Sequence, residues 1–541
     1  MKTAMHSLLK KLLLTNHINI HQDELKFQLA SHPSYPSLHA IVGVLDHFSI
    51  PNAALKMPTT KENLEQLPSS FLGVLSSETG DTLSLVEKRG EQLKITDENS
   101  AYWLTEEVFL TRWNGILVAI EKDESVKEST KNPLSRRIHW GVIAVLLGLT
   151  GFFFYSVPSV YPASFYAFSF LGVLLAGLIV RHELGFHSQA TQKLCNFSEK
   201  ASCDAVLGSK GATLPFGIKL SDVSFVYFFG MIASGWIAMV LGDAFWGVWG
   251  ILSMLAVPIV IYSVYYQAVV VKKWCPLCLA LGGILSLQAA LSVFFVASER
   301  ILTPSPSAVL LVLGIVFFSA MLWAMLKPLL IKQEEFAKLN VAHTKFKRNF
   351  SFFQAALQEE APLAENPIIP NELQFGNPDA AVQLTLVTSP LCIFCKQAHQ
   401  DLAGILEQHP EQVSLRIRFN ADAEAKESML TKISSQLLHI YHTQSPAAAW
   451  KELHRLYSEN ADVPAWVEAQ SIHFNPAYDT VIEAQREWCS RHQINFTPAL
   501  YLNDQAFPKQ YDRTDLAWFI EELTQAYLEE AEAQQNTLKA S

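Results

Sequence analysis

The chain has 541 residues, of which 50% are hydrophobic and 17% are charged, and its formal net charge at pH 7 is −10. This length exceeds that of a single domain, and the low charged fraction favours a protein that combines membrane-spanning and soluble regions. The negative net charge argues against nucleic acid as a partner.

Residues 1–125 carry the patterns of a small α+β domain. Apolar residues recur at helical spacing over Ser37–Phe48, and strand-like runs follow at Phe71–Leu75, Thr82–Glu87 and Ile116–Ile120. These patterns predict one helix and at least three strands before the first apolar segment.

Three segments of this domain carry a resemblance: Tyr35-Pro36-Ser37-Leu38 at the start of the helix, the strand pair 71–87 and the stretch 104–116. They resemble the C39 family of papain-like peptidases, which cut leader peptides. That family has a cysteine nucleophile at the start of this helix and a histidine near Asp81 or Thr82, whereas the first cysteine here is Cys195. Because a cysteine peptidase without its thiolate has no chemistry, we expect a catalytically inactive domain that binds leader peptides. An unrelated structural domain is the alternative.

Residues 138–328 are predicted to form a membrane domain, after a linker at 126–137. No Asp, Glu, Lys or Arg occurs between Ile138 and Val180, and further long apolar stretches follow. About 20 apolar helical residues cross a bilayer. We therefore predict six transmembrane helices, at 138–157, 163–181, 222–242, 246–271, 276–297 and 307–327.

Six of the seven cysteines form three close pairs: Cys195 with Cys203, Cys275 with Cys278, and Cys392 with Cys395. Three consecutive dithiols suit a thiol–disulfide relay, because exchange passes an electron pair from one pair of sulfurs to the next. A C-x-x-C motif at a helix N-terminus also has its first thiolate stabilised by the helix dipole. The alternatives for the first two pairs are structural cysteines or a zinc site; we expect no metal.

The first two pairs lie in a specific sequence context. The segments Leu194-Cys195, Ser202-Cys203-Asp204 and Phe216-Gly217-Ile218 precede a helix, and Trp274-Cys275-Pro276-Leu277-Cys278 opens a later one. Over about 163–330 the chain resembles bacterial homologues of vitamin K epoxide reductase that are fused to a thioredoxin-like domain; the helix 138–157 is additional. The resemblance implies a quinone bound next to Cys278. The eukaryotic enzymes have a tyrosine where this chain has Gly282, so we expect ubiquinone or menaquinone rather than vitamin K epoxide.

Residues 373–530 follow a helical linker at 329–372, which is predicted either to lie on the membrane surface or to pack as an ordinary amphipathic helix. An apolar strand at Val382–Val387 runs into Cys392-Ile393-Phe394-Cys395, and a helical stretch at 422–490 precedes Thr497-Pro498. This order resembles the thioredoxin fold with a DsbA-type helical insertion, in which Thr497-Pro498 forms the cis-proline loop. Cys489 is expected to be a buried free thiol, with a redox role as the alternative. Residues 531–541 are predicted to form a tail.

Membrane orientation is predicted by two conflicting arguments. Six crossings place both soluble ends and all three cysteine pairs on one side. Basic residues flanking the helices, and the lack of a visible signal peptide, favour the cytoplasm for that side, whereas disulfides persist outside the cytosol. We follow the chemistry and the family and expect a multi-pass protein of the bacterial inner membrane, with its redox domains on the periplasmic side.

The predicted architecture is a multidomain membrane protein. Its α-helical transmembrane bundle is flanked by a papain-like α+β domain and a thioredoxin-like α/β domain. The predicted function is quinone-dependent oxidation of protein thiols. Electrons would pass from Cys392 and Cys395 to Cys203 and Cys195, then to Cys275, and Cys278 would reduce the quinone. Predicted partners are membrane lipid, quinone and thiol-containing proteins or peptides. The alternatives are an accessory protein for peptide export and a relay that runs backwards as a thiol reductase.

Overall fold

The computed structural model describes residues 2–77, 80–90, 92–97, 100–121, 160–185, 195, 200–241, 245–297, 305–458 and 460–540, with a few single positions between 141 and 155. The chain divides into two compact units: Met1–Thr130 together with Asn340–Ser541, and Lys131–Leu339. The predicted linker at 126–137 lies outside the described residues. So does the predicted helix at 138–157, apart from those single positions.

The N-terminal region contains a six-stranded antiparallel sheet with the strand order β1-β6-β2-β3-β4-β5. Its strands are β1 Asn52–Lys56, β2 Ser70–Ser77, β3 Gly80–Arg89, β4 Gln92–Thr96, β5 Ala101–Thr105 and β6 Trp113–Ile120. Its helices are Lys2–Thr15, Gln22–Ser31, Leu38–His47, Lys61–Gln66 and Glu106–Arg112. The predicted helix and the three predicted strands are confirmed, while the resemblance to C39 peptidases stays a prediction.

Alternation along the strands gives this sheet two apolar faces. Leu72 and Val118 pack against the first three helices, in a core that includes Leu8 and Ile41. On the other face, Phe71 lies in a second core with other aromatic residues, Phe109 and Trp113. The sheet is therefore covered on both sides.

The C-terminal region contains a five-stranded sheet with the order β11-β10-β8-β9-β7, in which only β8 and β9 are parallel among the strands described. Its strands are β7 Leu373–Gly376, β8 Val382–Val387, β9 Val413–Arg418, β10 Ala499–Leu502 and β11 Gln505–Ala506. Its helices are Phe350–Glu359, Ile393–Gln408, Met429–Thr443, Pro446–Leu456, Val463–Ala469, Pro476–Arg491 and Ile520–Ala540. The predicted helical stretch at 422–490 is thus four helices, and the predicted tail at 531–541 continues a helix through Ala540.

The N-terminal and C-terminal regions meet around Arg348, whose side chain is buried. Its guanidinium donates hydrogen bonds to Ser31 Oγ at 2.8 Å and to Gln28 Oε1 at 2.7 Å, and it lies 3.9 Å from the ring centroid of Trp518. Gln28 and Ser31 belong to an N-terminal helix and Trp518 to the C-terminal region. The sequence was interpreted as two separate domains, and this junction between them was not predicted.

The second unit is built from long apolar helices: Val160–Glu183, Leu220–Leu241, Phe245–Tyr265, Pro276–Ala297 and Pro306–Lys347. By length and composition, all five of these described helices are able to cross a membrane. They correspond to the second to sixth predicted crossings. A partly buried ion pair joins two of them, since Lys327 Nζ lies 2.6 Å from Asp222 Oδ2.

The last of these helices is longer than the predicted crossing at 307–327. It continues without a break through Pro328 to Lys347, into the segment predicted as a linker. The loss of apolar character after Leu326 marks where the predicted membrane span ends. Residues such as Lys, Gln, Glu and Ala, which follow, have high helix propensity and allow the helix to continue.

Candidate redox sites

The loop pair, Cys195 and Cys203, forms a disulfide. Cys203 begins a short helix, Cys203–Leu207, which is capped by Ser202, whose Oγ accepts a hydrogen bond from Ala205 N at 3.3 Å. Both cysteines are almost completely buried.

Backbone hydrogen bonds bring this loop beside the second pair. Trp274 N donates to Lys200 O at 2.8 Å, and Ser202 N donates to Trp274 O at 2.9 Å. Cys203 and Cys275 directly follow these bonded residues, and both lie in one apolar core with Cys195. The structure therefore places the first two predicted pairs next to each other.

The second pair lies at the start of the helix Pro276–Ala297. Cys275 is buried, Cys278 is half-buried, and Cys278 N donates a hydrogen bond to Cys275 Sγ at 3.3 Å. The carbonyl of Cys275 accepts the first helical hydrogen bond, from Leu279 N at 3.0 Å. Proline at the first helical position favours a helix start here.

Gln267 holds the start of this motif in place and was not predicted from the sequence. It lies in a short π-helix, Tyr266–Val271, and it is 1% exposed. Its Oε1 accepts a hydrogen bond from Cys275 N at 2.8 Å, and its Nε2 donates to Ser263 Oγ at 3.2 Å. The π-helix is a known device for placing a functional side chain, but a single glutamine within an apolar run gives no sequence signal.

A cavity of about 280 Å³ has Cys278 in its wall. Its lining is mostly aliphatic, with Glu183, Gln267 and several hydroxyl side chains as its polar part. Ligand pockets of small molecules combine an apolar lining with a few polar groups in this way. Gly282 also lines the cavity, and a Cβ there would lie 3.0 Å from Val260 Cγ1. A larger residue at this position would therefore require Val260 to move.

The third pair is built as the sequence predicts. Cys392 is the N-cap of the helix Ile393–Gln408, and its Sγ lies 3.5 Å from Thr497 O. The peptide bond between Thr497 and Pro498 is cis. The predicted cis-proline loop is thus confirmed, and it faces the C-x-x-C motif.

The two thiols of this pair have opposite electrostatic environments. Burial acts to raise the pKa of the Cys392 thiol, but hydrogen bonds with Cys395, Thr497 and backbone N–H groups outweigh it, so this pKa is lowered. Burial raises the pKa of Cys395, although hydrogen bonds with Thr388 and Thr497 oppose the rise. A thiol with a lowered pKa is the better attacking and leaving group. Cys392 therefore suits exchange with a second protein, and Cys395 suits internal resolution.

Two hydroxyl groups lie behind Cys395. Thr388 Oγ1 and Tyr457 OH are 2.8 Å apart, and both side chains are buried. Thr388 directly follows β8, but Tyr457 comes from the helical insertion. The sequence alone gave no signal for this pair because it depends on the packing of that insertion on the sheet.

The surface around Cys392 is apolar. Four side chains next to Cys392, Cys395 or Thr497 in the sequence are largely exposed: Leu391, Ile393, Phe394 and Phe496. Exposed apolar patches on soluble domains mark interaction sites.

Cys489 is buried in the helix Pro476–Arg491, and burial raises the pKa of its thiol to about 11. Its thiol is free, as predicted. A buried thiol with a raised pKa is a poor nucleophile. The structure thus favours the structural interpretation of this cysteine over the redox one.

Comparisons with known proteins identify two domains. Residues 163–293 match the model of the vitamin K epoxide reductase family, and residues 369–522 match a thioredoxin model. No curated protein sequence matches the chain.

Solved structures that resemble the chain include three bacterial proteins. BdbD from Bacillus subtilis has 17% identity and a TM-score of 0.24, covering 30% of this chain and 98% of its own. The catalytic domain of Proteus mirabilis ScsC has 22% identity and a TM-score of 0.24, with coverages of 32% and 96%. The thiol-disulfide exchange protein α-DsbA2 from Wolbachia pipientis has 15% identity and a TM-score of 0.23, with coverages of 32% and 93%.

The two matched domains together indicate a thiol–disulfide oxidoreductase. Residues 163–293 form a domain of the vitamin K epoxide reductase family, and the chain joins this domain to a C-terminal thioredoxin-like domain.

Proposed function

We propose that the chain oxidises protein thiols and passes their electrons to a membrane quinone. The observation that carries the proposal is the largely aliphatic cavity with Cys278 in its wall. An apolar space beside a redox-active sulfur suits a lipid-soluble electron acceptor better than a water-soluble one. In balance, two substrate thiols and one quinone give one substrate disulfide and one hydroquinone.

The substrate end of the relay is the disulfide form of Cys392 and Cys395. A substrate thiolate attacks Cys392 Sγ, and a second substrate thiolate resolves the mixed disulfide, so the electron pair and the protons remain with Cys392 and Cys395. The lowered pKa of Cys392 supports this role, because a sulfur with a low pKa leaves readily. The exposed apolar side chains around it support contact with apolar segments of a substrate protein.

The middle of the relay consists of the loop pair. The reduced Cys392 attacks the disulfide of Cys195 and Cys203, which then passes the electron pair to Cys275 and Cys278. The proximity of Cys203 and Cys275 in one core supports the second exchange. Direct disulfide exchange needs attack by a thiolate on a sulfur, so this packing is a precondition for it.

The acceptor end is the cavity next to Cys278. A bound ubiquinone or menaquinone would supply a two-electron, two-proton acceptor. Cys275 and Cys278 form their disulfide as they release the electron pair, and Gln267 holds Cys275 through its backbone N–H. The aliphatic lining fits the ring, and the buried Glu183 Oε1 has no hydrogen-bond partner among the described residues. A quinone is therefore compatible with the residues that line this cavity.

The orientation and the direction of the relay belong to the same proposal. The useful place for a thiol oxidase is the periplasmic side of the bacterial inner membrane, because disulfides persist there. The lowered pKa of Cys392 favours the oxidising direction, since it stabilises the reduced pair relative to its disulfide. A relay that delivers reductant instead would favour a strongly reducing pair at this position.

The variant Cys278→Ala tests the proposal in the full-length protein. We expect it to lose quinone reduction, measured by quinone absorbance with a reduced dithiol peptide as donor, while Cys392 still exchanges with a small aromatic disulfide. The control is Cys489→Ala, which removes a buried cysteine outside the relay and is expected to keep both activities. Quinone reduction by Cys278→Ala at the wild-type rate would refute the role of Cys278 and of its cavity.

A further inference from the structure

A single carboxyl group stands out in the wall of the cavity beside Cys278. Glu183 is the last residue of the helix Val160–Glu183, and its side chain is 5% exposed. Its Oε2 accepts a hydrogen bond from Ser221 Oγ at 2.6 Å and lies 3.6 Å from Lys219 Nζ. Its Oε1 is buried without a hydrogen-bond partner in the described part of the chain.

The two oxygens of Glu183 therefore differ. Ser221 and Lys219 hold one oxygen and fix the side chain, while the other oxygen has no hydrogen-bond partner among the residues that the structure describes. A buried polar atom without a partner costs free energy, so its persistence needs a reason. Ionisable residues in transmembrane segments are rare and mark functional sites by default, and Glu183 stands at the end of one such candidate segment.

The cavity gives a chemical reason for such a group. Among the described residues that line it, Glu183 is the only one with a carboxyl group, and Cys278 lines the same cavity. Reduction of a quinone consumes two protons together with the electron pair. The rest of the lining consists mainly of aliphatic and hydroxyl side chains, which do not exchange protons near neutral pH.

We propose that the Glu183 carboxyl donates a proton to the electron acceptor in this cavity and is reprotonated from the Cys275–Cys278 dithiol. This inference rests on the function proposed above. In balance, the two thiols lose two electrons and two protons and form one S–S bond, the quinone gains both electrons and both protons, and Glu183 ends as it began. One of the two protons travels through the carboxyl group.

A purely structural role for Glu183 makes a different prediction. In that case the ion pair with Lys219 and the hydrogen bond from Ser221 would be all that matters, and both involve Oε2. Glu183→Gln keeps the shape of the side chain and an oxygen acceptor for Ser221, but it loses the charge that faces Lys219 and cannot transfer a proton. Ser221→Ala removes the support of Oε2 and leaves the carboxyl group in place.

The test compares full-length Glu183→Gln, Glu183→Asp and Ser221→Ala with the wild type, and exposed Glu335→Gln is the matched control. We expect Glu183→Gln to reduce quinone about 100-fold more slowly, the size of a typical general acid–base contribution, and to lose the pH dependence of the rate. Glu183→Asp should reduce quinone faster than Glu183→Gln but more slowly than the wild type. The rate should fall less in Ser221→Ala than in Glu183→Gln, and Glu335→Gln should reduce quinone at the wild-type rate.

Two readouts do not depend on turnover. The dissociation constant of quinone, measured by quenching of tryptophan fluorescence, should change less than about threefold in Glu183→Gln. The substitution changes one polar group and leaves the apolar lining as it is. The infrared spectrum of the dithiol state should contain a protonated-carboxyl band that is absent from the spectrum of Glu183→Gln in the same state. Exchange at Cys392 with a small disulfide should be unchanged, which shows that the thioredoxin-like domain is intact, and retained quinone binding shows that the cavity is intact.

Each outcome separates the inference from the proposal that it rests on. A wild-type rate and pH profile in Glu183→Gln overturn the inference alone. An equal loss in Ser221→Ala and Glu183→Gln also overturns it, because the support of Oε2 would then explain the effect. A wild type that reduces no quinone overturns the proposed function, and the inference with it.

Discussion

The thioredoxin-like domain is predicted to lose stability in acid because of one buried histidine. His399 lies one helical turn after Cys395, is 1% exposed, and stacks on Tyr457 with ring centroids 4.6 Å apart. Burial, and secondarily the neighbouring His454, lowers the pKa of His399 to about 3. In the unfolded chain a histidine has a pKa of about 6.5.

The sign and size of the effect follow from this difference. The folded state keeps His399 neutral between these two pKa values, whereas the unfolded state binds a proton, so stability falls as the pH drops below about 6.5. Each pH unit below about 6.5 in this window lowers the free energy of unfolding by about 1.4 kcal/mol. From pH 7 to pH 4.5, His399 should therefore lower the free energy of unfolding by about 2.7 kcal/mol.

The assay is urea unfolding of the full-length protein in detergent at pH 7 and pH 4.5. Labelling of the buried Cys489 by a pyridyl disulfide, quantified by mass spectrometry, reports unfolding of this domain. His399→Gln removes the titrating group, and His442→Gln on a neighbouring helix is the matched control, because His442 is exposed. We expect the acid-induced loss to shrink by about 2.7 kcal/mol in His399→Gln only. An equal loss in the wild type and in His399→Gln would refute the reasoning.

Two further predictions concern buried hydrogen bonds. Gln267→Leu leaves the Cys275 N–H without its acceptor, so we expect a loss of about 1–3 kcal/mol, seen as a lower denaturation midpoint and altered alkylation of Cys278. Ser263→Ala removes only the hydrogen bond that Gln267 donates to Ser263, so its free energy of unfolding should fall by less. An equal fall in both variants would count against this account. Arg348→Met removes the donor to Ser31 Oγ and Gln28 Oε1, and we expect the free energy of unfolding to fall by about 1–3 kcal/mol, with faster amide exchange in the helix Gln22–Ser31. Unchanged exchange there would contradict the importance of this junction.

Local patterns in the sequence predicted the parts of the structure that local chemistry determines. The two C-x-x-C motifs, the cis Thr497-Pro498 bond and strand β8 follow from short segments whose residue types restrict the backbone or begin a helix. The second to sixth apolar segments were also placed correctly, since the bilayer sets their length and composition.

The features that were missed depend on residues distant in sequence. Tyr457 reaches Thr388 across 69 positions, and Arg348 reaches Gln28 across 320. Nothing near either residue in the sequence indicates its partner, because packing alone brings them together. The end of the last long helix was also missed, since a change in hydropathy marks the membrane boundary and not the helix boundary.

The order in which the three cysteine pairs are oxidised tests the proposed relay most directly. Fully reduced protein is mixed without oxygen with a water-soluble ubiquinone analogue, and its cysteines are alkylated at intervals and mapped by mass spectrometry. The relay predicts that hydroquinone forms while disulfides close first at Cys275–Cys278, then at Cys195–Cys203 and last at Cys392–Cys395. Closure of Cys392–Cys395 before the other two pairs would contradict it, and so would Cys392 and Cys395 that stay reduced in excess quinone after the other two pairs have closed.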